Sequence, residues 1–202
     1  MPCIEAPAHD DSDALPRLAG GGVLLRGFRG DDADALFALH SDPRAMRYWS
    51  FAPWTDRSQV HDYLARAIAA RDPDRMLCWV VTQAGDDALV GTTTLFAIDR
   101  VQGRAEVGYA LRPSHWGRGL ATGTLGLVLG HAFDTLGLRR VEADIDPRNA
   151  ASCRLVERQG FVREGLLRER WHVGGETCDS AVYGLLAREW VGPPSAAPVG
   201  AA

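Results

Sequence analysis

The chain has 202 residues, 46% hydrophobic and 24% charged, which is the profile of one folded domain with a core of its own. At this length about 70% of the unfolded surface can be buried, so neither disulfides nor a metal is needed to hold the fold. A formal net charge of −4 and a pI near 5.8 argue against a dedicated nucleic-acid binder, and no apolar run approaches the roughly 18 residues of a membrane span.

Residues 1–22 mix Pro, Asp and Gly without periodicity and read as a flexible tail, as does the stretch from 192 to 202. Residues 23–191 form a single block without a repeat or a linker. Its first element, VLLRGF at 23–28, is a short strand. Asp31 to His40 follows as a helix, with Ala35, Leu36 and Leu39 at helical spacing and Asp31 or Asp32 to cap it. Asp56 to Arg71 is a second helix, striped by Val60, Leu64, Ala67 and Ile68. The period then changes: MLCWVVTQ, ALVGTTTLFAI and RAEVGYALR are rich in β-branched and aromatic residues and predict three consecutive strands. Thr122 to Leu136 reads as a helix stopped at Gly137, RRVEADI as a strand, and Asn149 to Gln159 as a helix ended by Gly160. FVREGLLRERWHV and TCDSAVYGLLAREW close the chain as a pair of strands. Helices around a meander, with one strand–helix–strand crossover, give an α/β sheet of mixed direction.

The stretch AEVGYALRPSHWGRGLATGTLG carries the chemistry. Pro113 breaks a strand, and Gly117 and Gly119 let the backbone bend and approach a ligand before a helix begins. Amide groups from Gly117 to Thr122 would converge at that helix N-terminus, a site for phosphate or pyrophosphate, and Arg118 adds a fitting charge. A plain glycine connection is the simpler reading of the same residues. A dinucleotide site would want G-x-G-x-x-G and a later acid; Gly117, Gly119 and Glu142 come near it, but Thr122 stands where the third glycine belongs.

The same run resembles the acyl-CoA loop of the GNAT N-acetyltransferases, in particular the RimJ/RimL-like branch that acetylates protein N-termini. The likeness rests on Glu106-Val107-Gly108-Tyr109, Pro113 and Trp116-Gly117-Arg118-Gly119-Leu120-Ala121-Thr122. It continues in Asn149-Ala150-Ala151-Ser152, Glu157-Arg158-Gln159-Gly160-Phe161, Glu164-Gly165, Arg168-Glu169-Arg170, Asp179 and Tyr183. The front segment LHSDPRAMRYWSFAPWT is similar to that branch's substrate side. The resemblance implies a mixed, mostly antiparallel sheet flanked by helices and splayed at an acetyl-CoA site, with a bulge near Gly108 to Leu111 that frees backbone N–H groups for the thioester carbonyl. It implies acetyl-CoA contacts at Leu111, Gly117, Arg118, Gly119, Leu120, Ala121, Thr122 and Asn149; capping its helix is the simpler reading of Asn149, and the two roles are compatible. The implied reaction is direct attack by a primary amine, on a protein N-terminus or a small molecule, in a ternary complex. A non-catalytic acyl-CoA-binding module and a nicotinamide oxidoreductase are the alternatives.

Thioester aminolysis needs a base for the ammonium and an acid for the leaving thiolate. The resemblance puts Glu106 in the first role, through water, against the simpler reading of a surface glutamate; Asp42 and Asp56 are the reserve bases. The family's usual acid, a tyrosine four residues before Gly160-Phe161, is replaced by Val156, and Ser152 takes the position of the serine that relatives use instead. Arg44, Trp49 and Trp54 either wall the acceptor pocket or pack the first helices as core. Cys153 has no visible His partner and reads as a structural thiol, and His115 as a loop histidine. The four cysteines lie too far apart for a zinc site or a disulfide framework, and no histidine spacing suggests a metal. Every basic residue is arginine, so the chain offers no lysine amine for modification. No signal peptide is visible, which makes cytoplasmic the default, and homodimers are frequent among the proteins it resembles.

Overall fold

The β-branched and aromatic run Met76–Gln83 is buried along almost its whole length, so it must lie inside a sheet covered on both faces. The computed structural model describes residues 15–69 and 76–192 and shows that sheet. Its eight strands are β1 (Leu18–Gly20), β2 (Val23–Arg26), β3 (Met76–Gln83), β4 (Gly91–Asp99), β5 (Arg104–Leu111), β6 (Arg140–Ile145), β7 (Val162–Val173) and β8 (Glu176–Leu186). They are ordered β1-β2-β3-β4-β5-β6-β8-β7. Every neighbouring pair is antiparallel except β5 and β6. That parallel pair is the crossover, and its helix is α3 (Leu120–Gly130). The other helices are α1 (Ala33–His40), α2 (Ser58–Ala69) and α4 (Ala150–Arg158).

Strand alternation sends side chains to two cores. Val23, Leu25, Trp79, Leu95 and Val107 meet Leu125 and Leu129 of α3 and Val156 of α4 on one face. Val80 and Ala110 meet Leu36 and Leu39 of α1 and Val60 and Leu64 of α2 on the other. The start of α1 is fixed to β2 by a buried ion pair, in which Asp32 accepts two hydrogen bonds of 2.8 Å from Arg26.

Three expectations change. The sheet begins before residue 23, because Leu18–Gly20 pairs with β2; residues 1–14 lie outside the described residues. The helix expected from Thr122 to Leu136 starts at Leu120, and its last turn, His131–Thr135, widens to a π-helix closed by the Leu136 amide on the His131 carbonyl. The second helix starts at Ser58, whose amide is capped by Asp56, and the expected end at Arg71 lies outside the described residues.

His40 sits in the second core, only 1% exposed, with its ring stacked 4.2 Å from Trp54. Neither ring nitrogen has a hydrogen-bond partner, and burial lowers its pKa to about 4. The folded state therefore takes up its proton later than the unfolded chain does, so stability falls as pH drops from about 6.5 through about 4. This one group accounts for about 3 kcal/mol across that window. Urea midpoints measured from pH 7 to 4 should fall more steeply for the wild type than for His40→Phe. Parallel curves would show that His40 is not held neutral by burial.

Candidate active site

Pairing between β5 and β6 ends early. Their register runs from Arg104↔Arg140 to Glu106↔Glu142, whereas β5 stays on β4 as far as Leu111↔Gly91. Beyond Glu106 the two strands therefore part, and the β6-facing backbone groups of residues 107–111 are left without that neighbour. The expected bulge is not there: the β4–β5 register is unbroken from Phe96↔Glu106 to Gly91↔Leu111, and its only irregularity lies between Phe96 and Asp99, where Ala97 has a φ of 49°. Divergence of β6, not a bulge, opens the backbone.

A cleft of about 710 Å³ occupies the split, lined by residues 107–111 of β5, by Asn149–Ser152 at the start of α4 and by the loop before α3. The loop is pinned to β5, since Trp116 Nε1 donates to the Leu111 carbonyl at 2.8 Å. Gly117 and Gly119 have φ of 75° and 77°, and a Cβ built on either would meet nothing within 4 Å. The turn, not packing, requires these glycines, and they leave open space beside the backbone. Gly119 is the N-cap of α3, so the first-turn amides of that helix have no acceptor within it. Leu120, Ala121 and Thr122 line the cleft with Leu111, Gly117 and Gly119, which suits a pyrophosphate. Gly123, one residue past the place where a dinucleotide pattern wants its third glycine, has a packing role: a Cβ there would lie 2.6 Å from the Gly21 carbonyl oxygen. Arg118 is exposed and is not among the lining residues. His115 lines the rim, its pKa lowered by burial and by Arg118 and Arg112.

Asn149 both lines the cleft and caps α4, its Oδ1 accepting from the Ser152 amide at 3.1 Å. Ser152 Oγ lies 2.6 Å from the Tyr109 hydroxyl. Glu106 is half-buried and does not itself line the cleft, but Gly108 and Ala110, two and four residues on along the same face, do. Two strand residues span about 7 Å, too far for a direct hydrogen bond, so any proton transfer from the cleft to Glu106 runs through water. Burial raises the Glu106 pKa, and the neighbouring Glu142 and Asp144 carboxylates raise it further, so it is a stronger base than an ordinary carboxylate. The reserve bases are weaker. The Arg44 guanidinium holds Asp42 down at about 2, and the Ser58 amide lowers Asp56.

Arg44 and Trp49 reach the cleft wall; Trp54 does not, because it is buried under the wall against His40. Cys153 packs against the first core and is absent from the lining. Sequence reasoning missed Tyr48, Asp144, Asp146, Arg148 and Arg158, all of which line the cleft. Glu142 and Asp144, followed by Asp146 just past the strand end, alternate at period two, a signal that one face of β6 carries acids. Nothing comparable marks Arg148, which bonds Asp146 at 2.6 Å, pairs with Glu176 and stacks 6.0 Å from the Tyr48 ring. No group of side chains that could hold a metal occurs among the described residues.

The acetyltransferase (GNAT) domain family matches residues 23–162. The chain belongs to the GNAT family. Over 170 residues it is 33% identical to the N-acetyltransferase p20 of Bacillus licheniformis, an uncharacterized protein, covering 84% of this chain and 96% of the relative. Over 107 residues it is 36% identical to YdaF of Bacillus subtilis, provisionally named a ribosomal N-acetyltransferase, covering 53% of this chain and 58% of that one. In fold it matches a spermidine N-acetyltransferase from Vibrio cholerae, solved with CoA and spermine, at a TM-score of 0.75 and 24% identity over 84% of this chain and 98% of that one. This GNAT chain is thus an acetyl-CoA-dependent N-acetyltransferase, and the binding-module alternative falls. The nicotinamide alternative falls too, because a dinucleotide-binding sheet is built of successive parallel strands and this one has a single parallel pair. No described helix is long and apolar enough to cross a membrane.

Proposed function

We propose that this GNAT chain is a RimJ/RimL-like enzyme that transfers the acetyl group directly to a primary amine, on a protein N-terminus or a small molecule. The observation that carries this reading is the split between β5 and β6, which joins a phosphate-suited helix terminus to a half-buried base. Amides of Leu120, Ala121 and Thr122 hold the pyrophosphate, with Asn149 beside them. Backbone N–H groups near Leu111 polarise the thioester carbonyl and stabilise the oxyanion. Glu106 removes the amine proton through water, and Ser152 protonates the departing sulfur. Arg44 and Trp49 shape the acceptor side. The partial likeness to YdaF supports a protein N-terminus; the fold shared with the spermidine enzyme keeps small amines in the panel. Incubation with acetyl-CoA and a panel of N-terminal peptides and small amines, read as free thiol, tests the reading. Acceptor-dependent thiol release is expected. Tight acetyl-CoA binding without release for any acceptor would restore the binding-module alternative.

A homodimer belongs to the same proposal. β7 is the sheet edge and is exposed along nearly all its length on both faces, with Leu166 45% and Leu167 43% exposed. A bare edge this long with apolar side chains is what a partner would cover. Light scattering should give twice the 21.9 kDa chain mass for the wild type and a smaller mass for Leu166→Glu/Leu167→Glu. A wild-type monomer at tens of micromolar would remove the dimer.

A further inference from the structure

A serine hydroxyl is a poor acid on its own. It is far less acidic than a thiol, and an unassisted Ser152 would leave the proton step of the proposed mechanism weakly driven. The residue at the family's usual acid position is no help, since Val156 is apolar and fully buried. The cleft does contain one phenol in contact with the serine. Tyr109 lies on β5 just past the point where β6 departs, and its side chain crosses to α4, where its hydroxyl is 2.6 Å from Ser152 Oγ. Both residues line the cleft.

We infer that Tyr109 is a positioning residue for the proton that leaves with the coenzyme thiolate: its phenol bonds Ser152 Oγ, turns the serine proton toward the sulfur and replaces it as it leaves. This rests on the reading of Ser152 as the acid. The direction of the bond follows from acidity. A phenol is much more acidic than an aliphatic hydroxyl, so Tyr109 donates and Ser152 accepts. Each hydroxyl has one proton, so the serine proton is then free to point away from the tyrosine and into the cleft. Donation into the serine oxygen also polarises its own O–H bond and makes it a better donor. The serine backbone is fixed as well, because its amide is held by the Asn149 cap. Burial raises the Tyr109 pKa to about 12, so the phenol carries its proton throughout the working range.

The step balances. When the tetrahedral intermediate collapses, the electron pair of the breaking C–S bond goes to sulfur, and the Ser152 proton follows to give the free thiol. Ser152 Oγ regains a proton from Tyr109, and the phenol is reprotonated from solvent, which has taken up the proton that Glu106 removes from the amine. Tyr109 acts through Ser152 and does not touch the sulfur.

Tyr109→Phe removes one oxygen and keeps the ring. In acetyl transfer to an accepted amine, its kcat should fall about 10- to 100-fold, with KM for acetyl-CoA and melting temperature little changed, as for loss of a transition-state interaction. Ser152→Ala, which leaves the phenol in place, should lose at least as much. The double variant should match Ser152→Ala, because the phenol has no route except through the serine. Wild-type kcat in Tyr109→Phe, losses that multiply in the double variant, or a loss confined to KM would each overturn the inference. If Ser152→Ala keeps wild-type kcat while Tyr109→Phe falls, the serine is not the acid and the relay is overturned with it. A wild-type protein that binds acetyl-CoA but turns over no amine would instead overturn the transferase reading on which the inference stands.

Discussion

Glu106→Gln should lower kcat by on the order of 10²–10⁴-fold and leave KM for acetyl-CoA little changed, because the amide keeps size and hydrogen bonding but loses basicity. The pH profile separates this loss from a packing defect. Burial, with Glu142 and Asp144, raises the Glu106 pKa, so the acidic limb of the wild-type profile should lie above the ordinary carboxylate range. The variant should lack that limb and recover part of its rate in alkali, where more of the acceptor is free amine. Stability should move the other way. A raised carboxyl pKa means that the folded state binds this proton more tightly than the unfolded chain does, so above that pKa the charged group costs stability. Glu106→Gln should therefore melt no lower than the wild type at neutral pH. A Gln variant with wild-type kcat would make Glu106 a strand residue without a catalytic role. The search would then move to Asp144, which lines the cleft, ahead of Asp42 and Asp56, which Arg44 and the Ser58 amide hold as weak bases.

How far the sequence discloses this site depends on whether a feature is local. Met76–Gln83, Arg104–Leu111 and Arg140–Ile145 announce themselves by residue type, and the Pro113–Thr122 loop by its glycines, because φ is a property of single residues. Leu18–Gly20 is too short to show a period and becomes a strand only by pairing with its neighbour. The early end of the β5–β6 pairing is invisible in either strand alone, and the bulge expected in its place is absent because register belongs to pairs. Trp49 and Trp54 are alike in composition, and only packing sends one to the cleft and the other under it. Tyr109 and Ser152 are 43 residues apart, so their contact exists only once the helix following β6 has folded back over β5.

Gly119→Val should abolish measurable acetyl-CoA binding in a protein that still folds. Gly119 has a φ of 77°, a conformation that a β-branched residue adopts only under strain, so the substitution costs stability whatever the space around it. The strain is of order 1–3 kcal/mol, less than the 5–15 kcal/mol that a domain of this kind typically has in hand. The Cβ itself adds no clash, because it meets nothing within 4 Å. That open space is where a pyrophosphate would lie against the first-turn amides of α3, so the valine methyl groups occupy the ligand's position and not the protein's. Gly119→Ala carries a similar backbone cost with one methyl group, and its affinity should fall between the two. Arg118→Ala should change affinity far less, since that side chain is exposed and outside the cleft lining. Calorimetric titration with acetyl-CoA, beside melting curves for all three, separates loss of the site from loss of the fold. Unchanged affinity in a folded Gly119→Val protein would show that the amides of Leu120, Ala121 and Thr122 do not hold the phosphates, and the coenzyme would have to enter the cleft from another side.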